Sequence, residues 1–181
     1  MVEKHNAIAS TVMGACLALT QPVLAQTSEP IGALAASIDG TSYRGETLSV
    51  PSEGSATASF QSFGPVTKVT IQAHDPEAES RMHNVLALEV SLMGDRASAS
   101  QMDKTVSWWP EGMNAPFYIS EGNEAEVQVI FDTLSFADGA SAATGSFSAL
   151  LCRKQAFFSE ADRDDCKQVE GTFDTRLSQG T

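Results

Sequence analysis

The segment that most restricts how this chain can fold lies near its C-terminal end. It reads GSFSALLC, then a polar acidic stretch, then CKQVEGTFDTRL, and spans Gly145 to Leu177. If Cys152 and Cys166 sit opposite each other on antiparallel strands, the other pairs follow: Phe147 faces Gly171, Phe173 faces Gly145, and Ala149 meets Val169. Each ring then covers a strand glycine on the partner, which restores packing that a glycine lacks and pins the register. Both cysteines hold even positions, whereas Phe147, Ala149, Leu151, Val169, Phe173 and Leu177 hold odd ones. A cross-strand disulfide and an apolar packing face therefore coexist without adjustment. No CxxC spacing is present and no histidine is near either cysteine, so a metal pair is the weaker reading.

The preceding chain carries the same signature. Ala33 to Ile38 alternates, and Asp39-Gly40 is a two-residue hairpin turn that brings Tyr43 opposite Ala36. Leu48 and Val50 are out of phase with Tyr43, which predicts a bulge near Gly45-Glu46. Ala56, Ala58 and Phe60 mark a third strand, closed by Gly64-Pro65. Thr67, Val69, Ile71 and Ala73 form one face of the next strand, and Leu86, Leu88, Val90 and Leu92 one face of its successor. Pairing Ile71 with Leu86 places Lys68 opposite Glu89 and His74 opposite His83. Between the two strands, Asp75 as a cap and Pro76 at the first helical position predict one turn of helix.

Gly94 to Ala115 is polar and hard to read, with a short strand expected at Thr105 to Trp108. Phe117 to Ser120 reads as a brief strand. Val127, Val129 and Phe131 share a face that Leu134 and Phe136 leave, which predicts a bulge near Asp132 before the Asp138-Gly139 turn. Short strands with frequent turn signals and little helix define the expected class: all-β, an antiparallel β-sandwich or partly closed barrel of about 8–10 strands.

Residues 1–25 read as a secretory signal. Lys4 and His5 form a short basic start, Ala7 to Thr20 an apolar region, and Val23-Leu24-Ala25 a small-residue cleavage pattern. A lipoprotein-like alternative at Cys16 is weaker, because the apolar run continues past it. Residues 26–181 are then one β domain that retains Cys152 and Cys166, an even pair that exported proteins use as a disulfide. No run in that part reaches the roughly 20 apolar residues a spanning helix needs. The formal charge is −12. Such a chain is repelled by phosphate backbones and anionic head groups, which disfavours nucleic-acid and membrane-surface roles.

Several stretches compete as sites. His74 and His83, with Asp75 and Glu77 in the loop between them, could present imidazoles and carboxylates to zinc or copper; alternatively both histidines merely follow strand alternation. The acidic run from Glu160 to Asp165 fails the calcium-loop pattern, because Asp165 stands where a glycine is needed and Gly171 where the bidentate acid belongs. Phe157 and Phe158 before it are expected to tuck against a sheet edge. Trp108 and Trp109 could form a stacking platform for a ligand, although strand alternation sends one indole inward. No nucleophile elbow, phosphate-cradling loop or HExxH is present, and no carboxylate pair can be assigned.

The sequence thus predicts a periplasmic or secreted β-module that binds an unidentified small ligand or protein without a cofactor. The alternative is a metal-binding protein or metal-assisted hydrolase built on His74 and His83. A structural subunit completed by strand exchange at an open edge is a third reading.

Overall fold

The computed structural model describes residues 27–112 and 116–180. The predicted signal, residues 1–25, lies outside the described residues. The fold is all-β. Its strands are β1 (Glu29–Ile38), β2 (Thr41–Val50), β3 (Ser55–Ala56), β4 (Ala58–Phe63), β5 (Val66–His74) and β6 (Val85–Met93), followed by β7 (Ser100–Trp109), β8 (Phe117–Ile119), β9 (Gln128–Ser135), β10 (Ala142–Lys154), β11 (Asp162–Arg176) and β12 (Ser178–Gln179). That makes 12 strands in one sheet, more than the expected count because β3 and β12 are two-residue pieces.

The sheet curls back on itself. The strand order β5-β6-β7-β8-β10-β11-β1-β2 returns to β5 through the pair Glu46–His74, so the ring is partly closed. Two wedges complete it. Beside β2 and β5, the chain through Thr57 bonds Leu48 on one side and Gln72 on the other. Opposite, β10 gives one end of its edge to β8 and the other to β9. β9 does not pair with β7; instead Gln101 Nε2 and Lys104 Nζ donate to the Val129 and Val127 carbonyls at 2.8 and 2.7 Å, which caps an edge that would otherwise invite a foreign strand.

The β10–β11 register is the one the cysteines and rings imply. Phe147 faces Gly171, Gly145 faces Phe173, Ala149 faces Val169 and Cys152 faces Cys166, with the disulfide formed. The glycines are sterically required. A Cβ on Gly145 would fall 2.1 Å from the Ile130 carbonyl oxygen and 2.7 Å from the Phe173 ring; one on Gly171 would fall 2.5 Å from the Ala35 oxygen. The odd-numbered residues Phe147, Ala149, Leu151, Val169 and Phe173 are buried in the main core with Leu34, Ile71, Leu88 and Val106.

Elsewhere the expectations fare unevenly. Asp39 and Gly40 turn with φ of 51° and 80°, the positive values a two-residue hairpin requires, and Tyr43 pairs with Ala36. The β9–β10 register skips one residue at Asp132, where the sequence places a bulge. β2 has no bulge at Gly45-Glu46; it runs straight, and Thr47 and Leu48 are both buried because both faces are covered there. Thr47 points inward to the Thr175 hydroxyl at 2.6 Å, while Leu48 lies outside the main cluster, under the Thr57 wedge. The bulge belongs to β1, between Pro30 and Gly32.

The β5–β6 register differs from the expected one by two residues: Ile71 pairs with Leu88, and His74 with Val85, not His83. A two-residue slip keeps every side chain on its face, so alternation cannot detect it; the loop decides. Lys68 and Glu89 still meet at 2.7 Å, now on a diagonal. The expected helical turn after Asp75 is absent. The Asp75 carboxylate instead accepts from Glu77 N at 2.8 Å and Asn84 Nδ2 at 2.6 Å, stapling the loop ends together.

Two outcomes test this scaffold. Replacing both cysteines by serine should lower unfolding stability by about 3 kcal/mol, the value for a loop of about 15 residues, read from urea midpoints against the oxidised protein. Gly145→Ala should cost at least about 1–3 kcal/mol, since the methyl must displace a strand carbonyl. An unchanged midpoint in either variant would contradict the register described.

Candidate functional site

One end of the ring differs chemically from the rest. Below it the main core is built of aliphatic side chains and phenylalanines; at the rim, inward positions carry charge beside Trp108 and Tyr118. Alternation places them there. On β7, Val106 faces the core, so Trp108 faces inward too, and it pairs with Tyr118 of β8. On β10 and β11, Leu151 and Val169 face the core, and continuing outward brings Arg153, Asp165 and Lys167 to the same mouth.

These side chains form a connected set. Trp108 and Tyr118 stack with ring centroids 5.4 Å apart, and Lys167 Nζ lies 5.4 Å above the Tyr118 ring. Lys167 also reaches Asp39 at 3.6 Å. The Tyr118 hydroxyl donates to Asp165 at 3.1 Å, and Arg153 holds the same carboxylate at 3.3 Å. Burial, reinforced by the Asp165 carboxylate, raises the Tyr118 pKa above the usual phenol value. Behind them the Trp108 indole donates to Asn84 Oδ1 at 2.8 Å, and the Tyr43 hydroxyl lies 2.8 Å from the Ala73 carbonyl and 3.1 Å from that of Asn84. Burial pushes the Tyr43 phenol pKa well above its usual value, so it stays a neutral donor. Asn84 adopts φ of 51°, which asparagine tolerates better than most residues.

Asp39, Tyr43, Asn84, Trp108 and Lys167 enclose a pocket of about 180 Å³ in this mouth. A wider depression of about 630 Å³ crosses the outer face of β9, β10, β11 and β1. Its walls are mainly serine, alanine and threonine, so it offers neither an aromatic platform nor a converging charged set. The mouth is the better candidate, because ligand sites combine an apolar wall with a few fixed polar groups and recur in barrel mouths.

The two tryptophans thus divide as alternation requires. Trp108 is inside, half-buried at the mouth. Trp109 is outside, 7% exposed, in a small second core with Val85 and Phe117, on whose ring it stacks at 4.0 Å. Phe157 leans on this pair at 5.5 and 5.4 Å. Phe158 does not tuck in as expected but projects into solvent, on a turn closed by the Ser159 N to Ala156 O bond. Most of the acidic run is strand, since β11 starts at Asp162, and Arg163 bonds Asn123.

The proposed metal ligands are not gathered. His74 is buried on the outer face, and its Nδ1 lies 2.5 Å from the Arg81 carbonyl oxygen. His83 is half-exposed, packed beside Gly112, where a Cβ would fall 2.8 Å from its ring. Asp75 is committed to Glu77 N and Asn84, and Glu77 faces solvent. Among the described residues no group of three or more His, Cys, Asp and Glu is placed to hold a metal ion.

Sequence reading named Trp108 but missed Asp39, Tyr43, Asn84, Tyr118 and Lys167. A signal existed for one of them. In the disulfide register Lys167 is odd-numbered and therefore inward, and a charged residue on a core face marks a rim or a site. No helix among the described residues is long and apolar enough to cross a membrane. The chain matches no protein-family model, and neither a curated protein nor a solved structure matches it.

Tyr43→Phe removes a hydroxyl that ties β2 to the β5 end and to Asn84. The loss should be about 1–3 kcal/mol, since the Ala73 carbonyl is left buried without that donor. Thermal or urea unfolding checks it, and a neutral substitution would mean that the bond does not hold the mouth.

Proposed function

We propose that this protein is an exported binding module, periplasmic or secreted, that takes a small ligand at the mouth of its β-ring and catalyses no reaction. The observation that carries this reading is Trp108. Its indole N–H is fixed by Asn84 and one ring face is stacked on Tyr118, yet it lines an open pocket with Tyr43, Lys167 and Asp39. A pre-oriented ring beside fixed donors and acceptors suits a ligand with one flat apolar face and several polar substituents, such as a saccharide ring. Rigidity favours binding, because little side-chain freedom remains to be lost.

Export rests on the leader pattern in residues 1–25 and on the Cys152–Cys166 disulfide, which an oxidising compartment maintains. The −12 charge supports a ligand or partner other than nucleic acid.

The test is intrinsic fluorescence of the mature protein, titrated with a panel of mono- and disaccharides and with indole. Saturable quenching is expected for at least one compound. Trp108→Ala should weaken it about tenfold or more, as truncation of a central aromatic anchor does, whereas Trp109→Phe should leave it intact. Binding that survives loss of Trp108, or no response across the panel, would refute the mouth as the site.

A further inference from the structure

On the outer face of the ring, behind the mouth, the loop from Asp75 to Asn84 folds back over the end of β5 and covers His74. His74 is 7% exposed and pairs across the ring closure with Glu46 of β2. Its Nδ1 faces the Arg81 carbonyl oxygen. A carbonyl only accepts, so Nδ1 carries the proton and Nε2 carries the lone pair. Among the described residues, that Nε2 is the buried side-chain nitrogen or oxygen left without a hydrogen-bond partner. An orphaned buried acceptor points to a donor that belongs there.

His74 also lines a pocket of about 230 Å³ with Glu46, Asp75, Glu79 and Arg81. Both Asp75 oxygens are already used. Glu46 and Glu79 make no side-chain hydrogen bond or ion pair among the described residues, so the free groups are acceptors and the surroundings carry more negative than positive charge. Burial, with the Arg81 guanidinium nearby, keeps the His74 pKa below its usual value and the ring neutral.

We propose that this pocket binds an alkylammonium group, with His74 Nε2 and the Glu46 and Glu79 carboxylates as acceptors for its three N–H donors. An anion is excluded by the carboxylates. A metal ion requires donors converging to about 2.0–2.2 Å, and no such grouping exists among the described residues, whereas ammonium hydrogen bonds reach about 2.7–3.2 Å and tolerate wider walls. The ammonium can come from a free amine or from a lysine side chain of a protein partner.

The experiment follows the His74 Nε2 resonance of ¹⁵N-labelled mature protein, at a pH above the pKa of His74, during titration with butylamine, putrescine and Nα-acetyl-lysine amide. A saturable shift toward the hydrogen-bonded position is expected with amines. Tetramethylammonium, with equal charge but no N–H, should leave the signal in place. Tighter binding of putrescine identifies a free diamine, and tighter binding of acetyl-lysine amide a lysine side chain. Glu46→Gln should weaken binding about tenfold, the loss of one charge-assisted hydrogen bond. Glu79→Gln, on the exposed loop, serves if Glu46→Gln disturbs the ring closure. His74 faces Glu46 of β2 and Asp75, Glu79 and Arg81 of the loop; lowering the pH through the pKa of His74 should abolish binding, because protonated Nε2 becomes a donor of like charge. The proposal is overturned if amines leave Nε2 unmoved, if tetramethylammonium shifts it equally, or if zinc shifts it and amines do not.

Discussion

The rest of the structure depends on the contact between two strands in which each phenylalanine ring lies over the other strand's glycine. Phe147 over Gly171 and Phe173 over Gly145 admit no neighbouring register, because a slip of one residue would turn the core side chains of the shifted strand to the other face and a slip of two would set both rings against side chains. The disulfide at the far end of the same pair holds that register from outside the core. β1 then lies on the free edge of β11, and β8 and β9 divide the free edge of β10. Gly145 has a second duty here, since the Ile130 carbonyl of β9 occupies the space its side chain would fill.

Closure of the ring at Glu46–His74 creates the two places where chemistry gathers. On the inside, closure brings Tyr43 of β2 to the Ala73 carbonyl of β5 and to Asn84, and Asn84 in turn holds Trp108. On the outside, the same junction sets His74 beside Glu46 under a loop stapled by Asp75 and Asn84. Mouth and outer pocket therefore share one hinge point, Asn84, whose left-handed backbone lets the chain turn from the loop into β6.

How much of this was legible depended on whether the signal was local. Turns at Asp39-Gly40 and the bulge at Asp132 were readable, because positive φ and a change of apolar phase leave marks in adjacent residues. The phase change at Leu48 looked the same but had another cause: both faces of β2 are covered there, which only the Thr57 wedge brings about. The β5–β6 register escaped by two residues because parity was preserved. Alternation foretold that one tryptophan would turn inward and one outward, but not the residues around Trp108, which come from other segments of the chain.

The amino-acid order alone determined the all-β class, the C-terminal pair with its cross-link, and the inward or outward sense of most strand residues. Those properties follow from a period of two and from contacts between segments that recognise each other by shape. Tertiary structure alone decided that the sheet closes, where it closes, and therefore which polar groups meet. Ring closure depends on accumulated twist and on distant edges finding each other, and no short stretch of residues encodes that sum.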